Sequence, residues 1–231
     1  HALFPMSAAA FCMLGTLLLV HRERWGLAAV AAAVAATMYP IAAVLAPVVA
    51  LWVLLDRREP PAPSRPPRRR VQLAVIVSLG VAAGGVAVLV AQRVGTGTWS
   101  AYRYTVDQFP LERAFPLVAW YRYVDDLWTE TGTQLIAFQA LFTGLVIAVV
   151  VGSEVQKRAR GLPLLLVIFT VAAWLFPLAL SQFSLFRADS LLVPVAGLIA
   201  RLPDRVAVVL ASVAVVLMGA MLDPFLSAQL V

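Results

Sequence analysis

The chain consists largely of apolar stretches that are long enough to cross a lipid bilayer. A transmembrane helix needs about 20 mostly apolar residues, because a hydrocarbon core of about 30 Å is covered at about 1.5 Å per residue. Only 13% of the residues are charged, whereas soluble domains carry about 25%. The sequence therefore predicts an all-α, polytopic integral membrane protein with seven or eight transmembrane or half-membrane helices in one membrane domain, residues 1–231. The predicted crossings are 2–20, 71–91, 134–152, 162–181, 186–200 and 206–222, with 26–55 as a special case.

Basic residues concentrate in the short loops between these stretches, as they do in cytoplasmic loops. With loops 21–24, 56–70, 154–160 and 201–205 placed inside, that side carries 13 basic and 5 acidic residues, against 5 basic and 7 acidic outside. A pI near 10.2 in a soluble protein would suggest nucleic acid, but these arginines lie beside apolar segments and indicate orientation in the bilayer. The excess of Arg over a single Lys, with abundant Ala and Val, is typical of GC-rich bacterial genes. We therefore predict a multi-pass protein of the bacterial cytoplasmic membrane, with lipid and no nucleic acid as a partner.

The segment 26–55 is too long for one crossing and lies between two loops assigned to the same side. A single helix of this length would measure about 45 Å. Proline disfavours helix at the preceding residue and removes a backbone donor, so Tyr39-Pro40 predicts a break. We expect two half-length helices that turn back near these residues. The alternative is one long, tilted and kinked helix, with one of the flanking loops assigned to the wrong side.

Two segments are predicted to stay outside the bilayer. Residues 56–70 are rich in proline and arginine, which is typical of an extended cytoplasmic linker near anionic head groups. Residues 92–133 form a predicted extracytoplasmic loop, whose nine aromatic side chains favour interfacial helices interrupted at Pro110 and Pro116. The same topology places His1 outside at the beginning of a helix, so we expect further helices to precede it.

Motifs with a specific chemistry are not found in the sequence. It has no phosphate-binding glycine loop, no His/Cys metal cluster and no nucleophile elbow. Gly84 and Gly85 lie in an apolar stretch, where paired glycines indicate helix packing. Cys12 is the only cysteine, which excludes an intrachain disulfide and favours a small core residue.

Three stretches combine polar, aromatic and proline residues at the ends of predicted helices. They are the segment 1–55, with His1-Ala2-Leu3-Phe4, Arg22-Glu23-Arg24-Trp25 and Thr37-Met38-Tyr39-Pro40; TWSAYRYTVDQF at 98–109; and SLFRADSLLVPVAGLIARLP at 184–203. In this order they resemble the GT-C glycosyltransferases, and most closely the bacterial homologues of the second GPI mannosyltransferase. The chain departs from the family pattern at Tyr39, where arginine is usual, and at Ala188, where tyrosine is common.

The resemblance implies transfer of a hexose, with mannose favoured, from a polyprenyl-phosphate donor to an acceptor outside the cytoplasmic membrane. It places the catalytic carboxylate in a loop expected upstream of His1. If the resemblance holds, Arg187 is the candidate for binding the donor phosphate, because it opens a predicted helix on the external side after Phe183 and Phe186. Asp125 and Asp126, followed by Asp107 and Asp189, are candidate ligands of the acceptor or of a divalent cation. Asp125, Asp126 and Asp107 are also the candidates for a catalytic carboxylate within this chain. In the alternative reading, Arg187 extends to the membrane interface and the acids are solvated loop residues.

A second class of function is also compatible with the sequence. The chain could be a non-catalytic scaffold subunit whose external loop docks other membrane subunits. Transport is disfavoured, because no acid or histidine lies in the middle of a predicted span.

Overall fold

The computed structural model describes residues 3–56, 67–99, 115–129, 134–179 and 192–226. Within these ranges all regular structure is helical, as the sequence predicts. The elements are α1 (Leu3–His21), α2 (Trp25–Met38), a short 3-10 helix (Pro40–Val44), α3 (Leu45–Leu55), α4 (Pro67–Thr96), α5 (Pro116–Thr129), α6 (Gln134–Gln156), α7 (Leu162–Ala179), α8 (Pro194–Ile199) and α9 (Asp204–Leu226).

Three of the described helices are both long enough and apolar enough to cross a membrane. They are Ala74–Thr96 within α4, Ala137–Gln156 within α6, and Leu162–Ala179. The apolar helices Met6–His21, Trp25–Met38 and Pro40–Leu55 are shorter. The chain is therefore a helical membrane protein, although these three candidate spans of the described residues are fewer than the seven or eight segments predicted. At the predicted crossing 186–200 the described part contains only the six-residue α8, and residues 186–191 lie outside it.

The segment 26–55 turns back on itself, which confirms the predicted break. Helix α2 ends at Met38, Tyr39 is extended (φ −152°, ψ 129°), and the 3-10 helix begins at Pro40. The indole rings of Trp25 and Trp52, at the two far ends of this hairpin, lie 6.3 Å apart. The 14 residues of α2 cover about 21 Å, which falls short of the hydrocarbon core. The alternative of one continuous helix is wrong.

Helices α2 and α4 run parallel in close contact. A Cβ atom at Gly80 would overlap the carbonyl oxygen of Ala29, and one at Gly84 would overlap that of Ala33. Small residues allow the two backbones to approach at this distance, which is the usual basis of helix association in membranes. The predicted packing role is confirmed for Gly84 but is wrong for Gly85, because a Cβ there would meet open space.

Helix α7 is the centre of the bundle. It packs against α1, α3, the 3-10 helix, α5, α6 and α8. Leu165 and Phe169 of α7 are fully buried with Leu45 and Val49 of the α2–α3 hairpin. Helix α9 instead packs against α6 and leaves large apolar side chains outside; Val216, for example, is 71% exposed. Such a surface is expected where a helix faces lipid or another apolar partner.

The loops that the sequence assigns to one side of the membrane lie at one end of the bundle, here called the basic end (residues 21–24, 56, 157–161 and 201). Trp52 Nε1 donates a hydrogen bond of 2.9 Å to the Gly161 carbonyl, and the Gly161 N–H donates one of 3.0 Å to Asp56 Oδ1. Arg201 Nε lies 3.0 Å from Glu154 Oε1. The predicted grouping of these loops is confirmed, while the side of the membrane on which they lie stays a prediction.

Both predicted loop segments are shorter than expected. The linker predicted over 56–70 begins with a buried Asp56, which is 3% exposed, and residues 67–70 already form the first turn of α4. Proline is tolerated at a first helical position, because the N–H it lacks has no partner there. The external loop predicted from residue 92 begins later, since α4 continues to Thr96. Pro116, where an interruption was predicted, is the first residue of α5.

Candidate functional site

Two of the predicted site residues, Asp125 and Asp126, lie at the end of the bundle opposite the basic end. Asp125 lies on α5 with an exposed side chain, and Asp126 is the next residue of the same helix. Asp107, Arg187 and Asp189 lie outside the described residues, as does His1. The structure therefore places two of the acids on one helix and does not test the other candidates.

Helix α5 is attached to the bundle through Trp120. Its indole N–H donates a hydrogen bond of 2.9 Å to the Ala140 carbonyl of α6, and its ring lies against Gly144, where a Cβ would be 2.9 Å from the indole. The ring also makes an edge-on contact with Trp174 of α7, with centroids 6.4 Å apart. Ala140 precedes Glu154 by 14 residues, or about 21 Å of helix, so this contact lies far from the basic end.

An apolar cavity of about 430 Å³ lies between α6 and the segment around α8. Among the described residues of its lining, Thr143 is the one with a polar side chain, and hydrocarbon side chains form most of the rest. Its walls are Phe142, Thr143, Val146 and Ile147 from α6, and Leu192, Val193, Val195, Ala196 and Ile199 from the α8 segment. A cavity of this size and lining fits a hydrocarbon chain better than a polar substrate.

No known protein family, curated protein or solved structure matches this chain. The resemblance to GT-C glycosyltransferases therefore stays a prediction from the sequence, and any function has to follow from the residues themselves. Among the described residues, no group of three or more His, Cys, Asp or Glu side chains is placed to hold a metal ion.

A cluster of charged side chains, which the sequence did not indicate, lies at the basic end. Glu154, near the end of α6, has a side chain that is only 1% exposed. Its Oε1 accepts a hydrogen bond from Arg201 Nε and lies 3.5 Å from Lys157 Nζ. Lys157 Nζ also donates a bond of 2.7 Å to the Arg201 carbonyl. We call these three residues the Glu154 cluster; it joins the end of α6 to the turn between α8 and α9.

The one sequence signal for this cluster is an acid three residues before a lysine, Glu154 and Lys157, which is common on solvated helices. What distinguishes Glu154 is its burial, and burial depends on Arg201, which follows 47 residues later. A short sequence pattern therefore cannot predict the pairing of Glu154 with Arg201.

Proposed function

We propose that the chain is a membrane glycosyltransferase, or part of one, that moves a hexose from a polyprenyl-phosphate donor to an extracytoplasmic acceptor. The observation that carries this proposal is the apolar cavity between α6 and α8. Leu192, in its wall, follows the candidate phosphate-binding Arg187 by five residues in the sequence. A polyprenyl phosphate needs this combination, since its chain is pure hydrocarbon and its head is an anion.

The proposed reaction assigns a separate task to each group. A carboxylate accepts the proton of the acceptor hydroxyl, whose oxygen attacks the anomeric carbon of the sugar. The new bond from oxygen to the anomeric carbon replaces the bond to the phosphate oxygen. The polyprenyl phosphate leaves with the bonding electron pair, and Arg187 stabilises the resulting charge.

The proposal includes an orientation and a topology. The basic end faces the cytoplasm, α5 lies outside near the head groups, and the α2–α3 hairpin enters the membrane and returns. The protein then has seven or eight transmembrane or half-membrane segments in a bacterial cytoplasmic membrane. The charge distribution supports this orientation, and the gathering of the basic loops at one end supports the topology.

The proposal is tested by replacing Arg187 in protein expressed from its intact gene. Lysine keeps the charge but loses the paired donors that guanidinium offers to phosphate. Transfer from a labelled polyprenyl-phosphate sugar should fall about 10- to 150-fold in Arg187→Lys, the equivalent of one charge-assisted contact. In the same assay Ala196→Phe, which fills the apolar cavity, should raise the KM for the donor.

Arg205→Lys, at the start of α9 near the basic end, is the matched control and should leave the rate unchanged. Equal rates for wild type and Arg187→Lys would remove Arg187 from the site. If the wild-type protein transfers no sugar, the scaffold function is favoured instead. The exposed apolar face of α9, which could contact another membrane subunit, is the observation that supports that second function.

A further inference from the structure

A second cavity, of about 300 Å³, lies at the basic end beside the Glu154 cluster. It is formed where α3 ends, α6 ends and α7 begins. Leu55, Leu164 and Val167 provide its apolar wall, and Glu154, Arg158 and Arg160 provide its charged groups. Its volume is at the lower end of the range for small-molecule sites.

Glu154 lies in the wall of this cavity, and one of its carboxylate oxygens can still accept a hydrogen bond. Its Oε1 is held by Arg201 and Lys157, while its buried Oε2 has no hydrogen-bond partner among the described residues. Buried polar atoms nearly always have a partner, and a carboxylate oxygen can only accept. Arg201 and Lys157 already compensate the charge of Glu154, so the matching ligand group is a hydrogen-bond donor to Oε2. An ammonium is the donor that makes the strongest such bond, because charge-assisted hydrogen bonds are stronger than neutral ones.

Arg158 gives the same cavity a side chain that can bind an anion. Arg158 and Arg160 flank Ala159 in the turn after α6, and both line the cavity. Guanidinium presents paired N–H donors that match the oxygens of a phosphate. Glu154 and Arg158 together fit a ligand that carries an ammonium and a phosphate on one short chain.

Arg158 also has a backbone conformation that favours glycine at the end of a helix. The Ala159 N–H donates a hydrogen bond to the Glu154 carbonyl, and the Arg158 N–H donates one to the Val155 carbonyl. This pair of bonds is the Schellman pattern of helix ends. Arg158 occupies its left-handed position, with φ of 52°, where glycine is preferred. An arginine at this strained position is expected where its side chain has a use.

The cavity lies at the depth where lipid head groups are expected. Helices α3 and α6 end here and α7 begins here, and this end carries the basic loops, which are typical of segments next to the head groups. The apolar wall of Leu55, Leu164 and Val167 can then contact the first methylenes of an acyl chain.

We propose that this cavity binds a phosphate ester that carries a primary ammonium, and specifically the head group of an ethanolamine phospholipid. The phosphate pairs with Arg158, and the ammonium donates to Glu154 Oε2. This site lies at the opposite end of the bundle from the proposed transfer reaction and does not depend on it.

The proposal is tested by lipid binding to the purified full protein in detergent, measured by native mass spectrometry. Short-chain phosphatidylethanolamine should bind about tenfold more tightly than phosphatidylcholine, whose quaternary amine has no N–H, and than phosphatidylglycerol, which has no ammonium. Arg158→Gln should weaken binding of the ethanolamine lipid about 10- to 150-fold, the effect of one charge-assisted contact. Glu154→Gln should abolish the preference over phosphatidylglycerol.

Arg205→Gln, an exposed arginine that does not line the cavity, is the matched control and should bind as the wild type does. Since Glu154 also joins two elements, Arg158→Gln, at an exposed position, keeps the test decisive if Glu154→Gln fails to fold. Equal binding of the three lipids, or an equal loss in Arg205→Gln, would overturn the proposal. Free phosphoethanolamine distinguishes the sources: displacement of the lipid at similar concentration identifies a soluble ligand, and no displacement identifies the phospholipid.

Discussion

At the scale of single residues, two positions just after helix ends have an unusual backbone conformation. Glu23 after α1 and Arg158 after α6 both adopt positive φ, at 58° and 52°. Each stands in a Schellman turn where glycine would avoid the steric cost of a Cβ. Gly161, with φ of 61°, shows the usual solution three residues after Arg158. The strain at Arg158 can therefore be separated from the role of its side chain.

Comparison of Arg158→Gly with Arg158→Ala makes this separation. Both variants lose the guanidinium, so both should bind the ethanolamine lipid about 10- to 150-fold more weakly than the wild type does. Only alanine retains the left-handed strain, so the glycine variant should have a free energy of unfolding about 1 kcal/mol higher than the alanine variant. Reversible unfolding in mixed micelles, without added lipid, measures the difference. Equal stabilities would show that the turn relaxes to another conformation once the arginine is gone.

At the scale of elements, close contact between backbones holds the α2–α3 hairpin in place. The hairpin cannot span the membrane alone, and α2 obtains its position from α4 through Gly80 and Gly84. Broken helices survive at membrane depth where protein buries the freed backbone groups. The 3-10 helix after Tyr39 meets this condition, because Ile41, Ala42 and Val44 are buried against the bundle.

Gly84→Ala should therefore destabilise the protein, whereas Gly85→Ala should not. A Cβ at Gly84 would overlap the Ala33 carbonyl and lie 2.8 Å from the Ala36 Cβ, so α2 and α4 must separate. Overpacking of this kind costs about 1–3 kcal/mol. At Gly85 the Cβ meets open space, and alanine favours helix over glycine. Thermal unfolding of the two variants in the same detergent gives the comparison; similar melting temperatures would contradict the packing role of Gly84.

At the scale of the whole molecule, the paths of the helices agree with the distribution of charge. Contacts among Trp25, Trp52, Asp56 and Gly161 bring several helix ends together at the basic end. Helices α1, α3 and α6 end there, and α2 and α7 begin there. Long-range contacts therefore group loops that are far apart in sequence. Charge alone predicts which way the group faces.

Cysteine labelling in intact cells tests that orientation. In a Cys12→Ala background, single cysteines at Ser64 and Arg158 should be protected from an impermeant thiol reagent, and one at Thr131 should react. A cysteine at Asp125, exposed on α5, should react as Thr131 does. Permeabilised cells, in which all four must react, provide the control. Labelling at Ser64 from outside would reverse the orientation of the entire protein.

The sequence by itself determined the helical membrane class, the break at Tyr39-Pro40 and the grouping of the basic loops. These follow from local quantities: the length of apolar runs, the backbone chemistry of proline, and the cost of moving charge across a bilayer. It overestimated the length of the linker at 56–70 and of the external loop, because helix ends depend on packing as well as composition. Only the tertiary structure decided which of two adjacent glycines packs, which acid is buried and which arginines share a cavity with it. Those properties depend on contacts between residues such as Glu154 and Arg201, whose distance in sequence leaves no local pattern to read.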